Sequence, residues 1–308
     1  MTRIIVRRLL WLPILLLIIS MITWALGVYG PGDPCEVRLG PRSDPEAVVR
    51  CRQEFGLDQP FVLQYANYIW KVLHGDFGIS YKYNRPVIDL LGSRILVSAQ
   101  LNLVAMVLGI VIGIPLGVLA ALRRNTWIDY LIVSGTVAGI SLPTFVVAPL
   151  MLWLFSFRYR LLPPGGWDGI LSTSIILPAS ILATGVVAVF MRQTRANMLQ
   201  VIGQDYVRTA WGKGLTPRMV IYGHALRNAL IPLLTIFGLL AAGLLSGTFI
   251  LETFFGIPGI GLLGVESFFS RDYPVIMALV LIGATAYVLA TLLIDVGYMF
   301  IDPRIRYN

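Results

Sequence analysis

Charge is scarce in this sequence, and so are the residues that carry most enzyme and metal chemistry. Only 13% of the 308 residues are charged, and only two are histidine and two cysteine. A soluble domain carries about 25% charged residues. In water, a fold of this composition would expose more apolar surface than water tolerates. Two cysteines are too few for a disulfide framework or a metal cluster. Neither has a histidine nearby in sequence and no H-E-x-x-H is present, so metal catalysis lacks a ligand set. No G-x-x-x-x-G-K-[ST] loop is present either, because Gly212-Lys213 is followed by Gly214. The chain therefore has no P-loop of its own for ATP. His74 and His224 both fall outside the apolar runs, which removes an intramembrane serine–histidine pair.

What is abundant is hydrophobicity, at 57% of the residues. A spanning helix needs about 20 mostly apolar residues. Six runs qualify, at about 9–29, 95–122, 128–157, 174–191, 229–251 and 274–301. The first follows Arg3, Arg7 and Arg8. Its length and its end at Val28-Tyr29-Gly30-Pro31 favour a retained helix over a cleaved signal peptide. Pro115, Pro143, Pro149 and Pro178, with Gly109, Gly113 and Gly117, predict kinked and closely packed helices.

The net charge of +8 sits at the ends of these runs, as membrane topology requires, and does not indicate a nucleic-acid partner. Arg3, Arg7, Arg8, Arg123, Arg124, Arg192, Arg195, Arg208, Lys213, Arg218, Arg227, Arg304 and Arg306 fall on one side. The short connections of the other side hold only Arg158, Arg160 and Arg271. The positive-inside rule then places both termini in the cytoplasm and the long polar stretch after the first run outside. Two short amphipathic helices are expected in that stretch, near 45–55 and 60–73. They would carry Val48, Val49, Phe61, Tyr65, Ile69 and Leu73 on apolar faces.

Between the fourth and fifth runs lies a polar segment that reads as helix, tight turn, helix. Asp205 suits a helix start. Gly214 permits a left-handed cap, and Thr216 with Pro217 can open the next helix. Such a piece is either a knob for a cytoplasmic partner or a basic loop lying on anionic lipid.

This segment resembles the EAA loop of binding-protein-dependent ABC importer permeases. Arg208-Thr209-Ala210 stands in place of Glu-Ala-Ala, with Gly214 after it and Pro232 closing the motif. The longer pattern matches at Asp205 to Ala210, Lys213-Gly214-Leu215, and His224 to Ala229. It is similar to the dipeptide and oligopeptide permeases of the B type, from which Trp211, Gly212 and Gly223 depart locally. Further landmarks run the length of the chain. They include Pro31-Gly32-Asp33-Pro34, Gly75-Asp76-Phe77-Gly78, Leu162-Pro163-Pro164-Gly165-Gly166, Phe255 to Gly261, Asp272-Tyr273-Pro274 and Asp302-Pro303-Arg304.

The resemblance implies an all-α integral membrane protein of about six transmembrane helices with the type I ABC importer permease fold. Residues 1–30 would form the tail and first span, 31–94 an extracytoplasmic segment, 95–301 a five-helix core with a coupling loop at 198–229, and 302–308 a cytoplasmic tail. It implies no enzyme activity and no cofactor in this chain, with ATP and Mg on partner ATPase subunits. The expected partners are a sister permease subunit, two ATPase subunits, an extracytoplasmic substrate-binding protein and the lipid bilayer of a prokaryotic inner membrane. Relatives carry dipeptides, longer peptides, glutathione, nickel complexes or sugars.

For coupling to the ATPase, the residues singled out are Asp205, Tyr206, Val207, Arg208, Thr209, Ala210, Lys213, Gly214, Leu215 and Arg218. Tyr206, Val207 and Ala210 are expected to offer apolar contact, and the basic residues charge. Glu252, Glu266 and Asp272 are acidic groups near the outer mouth, either functional there or solvated. The stretch from 251 to 273 is expected to be a loop facing the binding protein. Asp295 is a carboxylate inside a run, either paired near the inner end or in contact with substrate. Arg192 and Arg195 are expected to snorkel or to anchor the coupling loop. Cys35 and Cys51 share an oxidising setting, which allows either a disulfide or two buried thiols. A stand-alone secondary transporter is the competing class. It would be expected to hold charged groups at mid-membrane, where only Asp295 is a candidate.

Overall fold

The computed structural model describes residues 2–30, 33–40 and 44–301, with side chains from Leu10 to Leu292 inside those bounds. Lipid offers no hydrogen bonds to a bare backbone, so apolar runs of this length must satisfy themselves as helices. Among the described residues, everything regular is helical except one isolated antiparallel bridge, Ile79 to Pro86.

The chain opens with α1 (Thr2–Tyr29). Two short helices follow, α2 (Pro34–Leu39) and α3 (Pro45–Glu54), each started by an aspartate and a proline. The Asp33 and Asp44 side chains accept N–H groups of the first turn, and proline supplies the first helical position. Then come α4 (Phe61–Leu73) and α5 (Val87–Leu122). At 1.5 Å per residue, α5 is about 54 Å long, well beyond a hydrocarbon core of about 30 Å. It begins at Val87, ahead of its apolar run, because Asp89 and Arg94 interrupt hydrophobicity without interrupting the helix.

Two of the expected apolar runs are broken, and one expected loop is helical. The run at 128–157 becomes α6 (Trp127–Ser141) and α7 (Thr144–Met151), bent by 96° where Leu142-Pro143 cannot continue a helix. Wider π turns at Leu152–Arg158 continue α7. After a 3-10 turn at Thr173–Ile175 comes α8 (Ile176–Ile202), then α9 (Asp205–Gly212). A π-helical stretch, Met219–Leu226, leads into α10 (Arg227–Ala229), and Pro232 separates this from α11 (Leu233–Ala242) with a 53° bend. The fifth run thus starts earlier than expected and ends at Ala242, where Gly243 to Gly247 turn the chain. The expected loop at 251–273 is instead a helical pair, α12 (Phe249–Phe255) and α13 (Ile260–Phe269), bent by 90°. Finally α14 (Tyr273–Ile301) closes the described chain. Four stretches are long and apolar enough to cross a membrane, or up to seven if each bent pair counts as one span. The expected six falls inside that range.

The chain divides into two compact units. The first comprises Met1–Ser98, Leu245–Thr253 and Pro258–Asn308. In it α1 packs along α14, closely enough that a Cβ at Gly27 would meet Met277 Sδ at 2.7 Å. Its core joins Val87, Leu91, Leu263, Val275 and Ala278. Between α1 and α4, a disulfide joins Cys35 to Cys51 with sulfurs 2.12 Å apart. Beside it Arg52 Nε donates to Asp33 Oδ2 at 2.8 Å. Burial pushes the Asp33 carboxyl up, but the Arg52 guanidinium and the N–H groups of Cys35 and Glu36 outweigh it and hold the group below the ordinary 3.8.

The second unit comprises Ala99–Leu244 and Phe254–Ile257, and α8 runs through its middle. Gly109, Gly113 and Gly117 lie where α5 meets α8, and Cβ atoms there would stand 2.3, 2.9 and 2.6 Å from Val186, Phe190 and the Met191 carbonyl. The glycine spacing therefore serves close helix packing. Gly165 likewise lies so near the Phe255 carbonyl that a Cβ would approach to 2.2 Å, and Gly166 N–H donates to that oxygen at 2.7 Å. This contact brings two sequence landmarks together.

Candidate functional site

The polar hairpin between α8 and α11 is built around a small apolar core of its own. Gln204 adopts the extended backbone of an N-cap without a side-chain cap bond, and Asp205 opens α9. At the far end Lys213 N–H donates to Thr209 O at 3.0 Å and Gly214 N–H to Trp211 O at 2.9 Å. Gly214 sits at φ +73°, a left-handed conformation that a branched side chain resists. The chain then reverses, and Thr216 O accepts from Val220 N–H at 3.0 Å as the next helix starts. No cap bond from the Thr216 side chain is found among the described residues.

Val207, Ala210 and Val220 are buried together, packed against Val201 and Leu215. This corrects one expectation. Val207 and Ala210 hold the hairpin closed and cannot serve as partner contacts. The exposed apolar groups are Tyr206, Trp211, Met219 and Tyr222. Trp211, a departure from the motif, is thereby a surface feature. Asp205, Arg208, Thr209, Lys213 and Arg218 are exposed around them. Arg208 Nη1 stands 3.7 Å from Asp205 Oδ1, a surface pair of little energetic weight.

The base of the hairpin is fixed more firmly. Met198, Ala225 and Ala229 pack with Val118 and Ala121. Asn197 Nδ2 donates to Ala229 O at 2.9 Å. Arg195 Nε and Nη2 both reach the Asp129 carboxylate at 2.7 Å, tying α8 to the first turn of α6. Arg195 is therefore paired and does not snorkel, whereas Arg192 Nε donates to Ala188 O in its own helix at 3.2 Å. Asp129 was not singled out from sequence. The only signal was an acid in the first turn of an apolar run, and its partner is far along the chain.

Of the three acidic candidates, Glu252 and Asp272 turn inward and are not solvated, while Glu266 stays about a third exposed. Glu252 is fully buried. Its Oε1 accepts from Ser98 Oγ at 2.8 Å and Thr248 N–H at 2.9 Å, and its Oε2 from Gly261 N–H at 2.7 Å and Leu262 N–H at 3.0 Å. The last two are free N–H groups of the first turn of α13, so the carboxylate caps that helix. Gly259 makes room for it, since a Cβ there would meet Glu252 Oε2 at 2.3 Å. Asp272, also fully buried, accepts from Ser80 Oγ, from Tyr81 N–H at 3.0 Å and from Lys82 N–H at 3.2 Å. Glu266 accepts from Tyr83 Oη and pairs with Lys82 Nζ at 3.4 Å. Each is a fastener. The Asp295 side chain lies outside the described residues, as does the tail from Asp302 to Arg306. Among the described residues no cluster of three or more His, Cys, Asp or Glu could hold a metal ion.

Residues 113–307 match the model described as "binding-protein-dependent transport system inner membrane component", and residues 1–102 match its N-terminal counterpart. The chain is 39% identical over 304 residues to the glutathione transport system permease protein GsiC of Escherichia coli (strain K12), covering 99% of both chains. It is 37% identical over 314 residues to a putative peptide transport system permease protein of Brucella abortus (strain 2308), covering all of both.

Proposed function

Because the chain belongs to the binding-protein-dependent transport system inner membrane component family, we propose that it forms half of the pathway of an ATP-driven importer for peptides, including glutathione-like ones. It is a multi-pass inner-membrane protein of that family. A sister permease supplies the other half, an extracytoplasmic binding protein delivers the substrate, and two ATPase subunits bind ATP and Mg on the cytoplasmic side. Both termini and the α9 hairpin face the cytoplasm, and the disulfide-bonded segment faces outward. The arginine distribution and the oxidising setting required by Cys35–Cys51 support this orientation.

The observation that carries the coupling role is the hairpin's construction. It is a rigid knob with its own core, and it leaves aromatic and basic side chains outward. Tyr206, Trp211, Met219 and Tyr222 enter an apolar groove of the ATPase, while Arg208, Lys213 and Arg218 meet acidic groups at its rim. Nucleotide-driven closure of the ATPases moves the knobs together and opens the pathway outward as a rigid-body change.

The test is uptake by proteoliposomes holding the two permeases, the ATPases and the binding protein, with peptide and glutathione as cargo. Gly214→Val should insert normally and leave ATP hydrolysis running while uptake is lost, because valine strains the turn at φ +73°. Wild-type uptake by that variant would overturn the coupling assignment. Uptake by the isolated chain without ATP would overturn the importer reading itself.

A further inference from the structure

One face of α4 is apolar and uncovered. Val62, Ala66, Trp70 and Leu73 follow one another at helical spacing, with Trp70 66% and Leu73 74% exposed. The opposite face is polar. Gln64, Asn67, Tyr68 and Lys71 line a cavity of about 160 Å³ with Trp24 and Val28. Gln64 Oε1 and the Tyr68 hydroxyl have no protein partner among the described residues, which suits a wet cavity. The helix thus meets its own unit on two sides, a polar one at the cavity and an aromatic one, Phe61 and Tyr65, against α1, and its Val62–Ala66–Trp70–Leu73 side meets neither.

The depth of α4 identifies what covers that face. Tyr65 Oη lies 2.8 Å from Ser20 Oγ and donates to Leu17 O at 2.9 Å. Phe61 packs on Trp24 and stacks with Tyr29 at centroid distances of 5.0 and 6.1 Å. From Ser20 to Tyr29 is about 14 Å along α1 at 1.5 Å per residue. With Tyr29 at the interface, Ser20 stands near the middle of a hydrocarbon layer about 30 Å thick. A tyrosine hydroxyl stands up to about 9 Å from its helix axis, the backbone radius of about 2.3 Å included, and a hydrogen bond adds about 3 Å. Leu17 lies about 18 Å below Tyr29 along α1, so for Tyr65 to bond Leu17 O the α4 axis must lie roughly 6 Å or more below the level of Tyr29, which is the depth of an interfacial amphipathic helix. On α1 the neighbouring Leu17 and Met21 are themselves exposed, so the lipid-facing surface runs on from α1 to α4.

We propose that α4 is a monotopic helix embedded in one leaflet, its Val62–Ala66–Trp70–Leu73 face against acyl chains and its polar face roofing the wet cavity. On the orientation above, that leaflet is the outer one. The inference rests on α1 crossing the bilayer and is independent of which substrate is carried.

The native cysteines are joined to each other, so one added cysteine gives the only free thiol among the described residues. Ala66→Cys, Leu73→Cys and, as an exposed control on α3, Glu54→Cys are spin-labelled in the assembled transporter in lipid nanodiscs. Collisions with dissolved oxygen, which partitions into lipid, are compared with those of a water-soluble nickel chelate. Labels at 66 and 73 should favour oxygen, and the ratio should invert at 54. Nickel-dominated collisions at 66 and 73 would place α4 in water and overturn the proposal. Immobile labels shielded from both reagents would mean a protein partner covers the face and would overturn it equally.

Discussion

At Glu252 a single carboxylate satisfies the N–H groups that open α13, the Thr248 backbone and the Ser98 hydroxyl, with no exposure to solvent. Its worth lies in what its loss would orphan, because each buried donor left unmade costs about 1–3 kcal/mol. Glu252→Gln places an amide NH₂ against other donors and should lower stability by about 1–3 kcal/mol, read as a fall in thermal midpoint in detergent. Gly259→Ala should do the same from the other side, since its methyl would occupy the space of Oε2. Asp33 makes a different prediction. Its pKa is lowered by folding, so the stabilisation is complete above the ordinary 3.8 and is lost as pH falls through the lowered value. Hydrogen exchange of α2 and α3 should be insensitive to this group at neutral pH and should accelerate only below about pH 4. Arg52→Met should move that onset upward by removing the group that holds the carboxyl down.

At the scale of the element, the α9 hairpin separates groups that look alike in sequence. Val207 is buried and Trp211 is exposed, although both are apolar residues of one short helix. Val207→Asp buries a charge without a partner, so the hairpin should open and become sensitive to protease. Trp211→Ala should leave protease resistance and insertion unchanged while weakening ATPase binding by about 2 kcal/mol, the order found for interfacial tryptophans. Titrating purified ATPase onto the permease pair in detergent gives the second number. If Trp211→Ala binds the ATPase like wild type, the exposed aromatic face is not the docking face. The α6–α7 break belongs to the same scale. Leu142-Pro143 ends a helix, yet the residues on both sides remain apolar, so composition alone runs straight through a 96° bend.

At the scale of the molecule, topology makes a prediction that needs no transport assay. A thiol introduced at Glu54 should react with a membrane-impermeant maleimide in intact cells whose outer barrier is opened. One at Lys213 should react only after the inner membrane is permeabilised. Labelling of both from outside would overturn the placement of the hairpin in the cytoplasm. Both positions are exposed in this chain, and expressing the permeases without the ATPases keeps Lys213 uncovered.

Hydrophobic content, run length and the placement of arginine were enough to set a multi-span helical membrane protein, because bilayer thickness and backbone hydrogen bonding leave few alternatives. The motif from Asp205 to Pro232 and its companions along the chain were enough to set the family. The left-handed turn at Gly214 was legible too, because glycine is the residue that fits it without strain. Other features required the tertiary structure. Pro143 was legible as a kink, but hydropathy carries no direction, so it could not show the 96° size of that bend, the bend at Pro232 or the helical pair at α12–α13. Acidity carries no partner, so Glu252, Glu266 and Asp272 read as mouth groups until Ser98, Tyr83 and Ser80 were found against them. The Asp129–Arg195 pair stayed hidden for the same reason, since its members meet only when α8 packs on α6. Sequence determines which segments must leave water, while packing decides which side of each segment remains free to meet lipid, a partner or substrate.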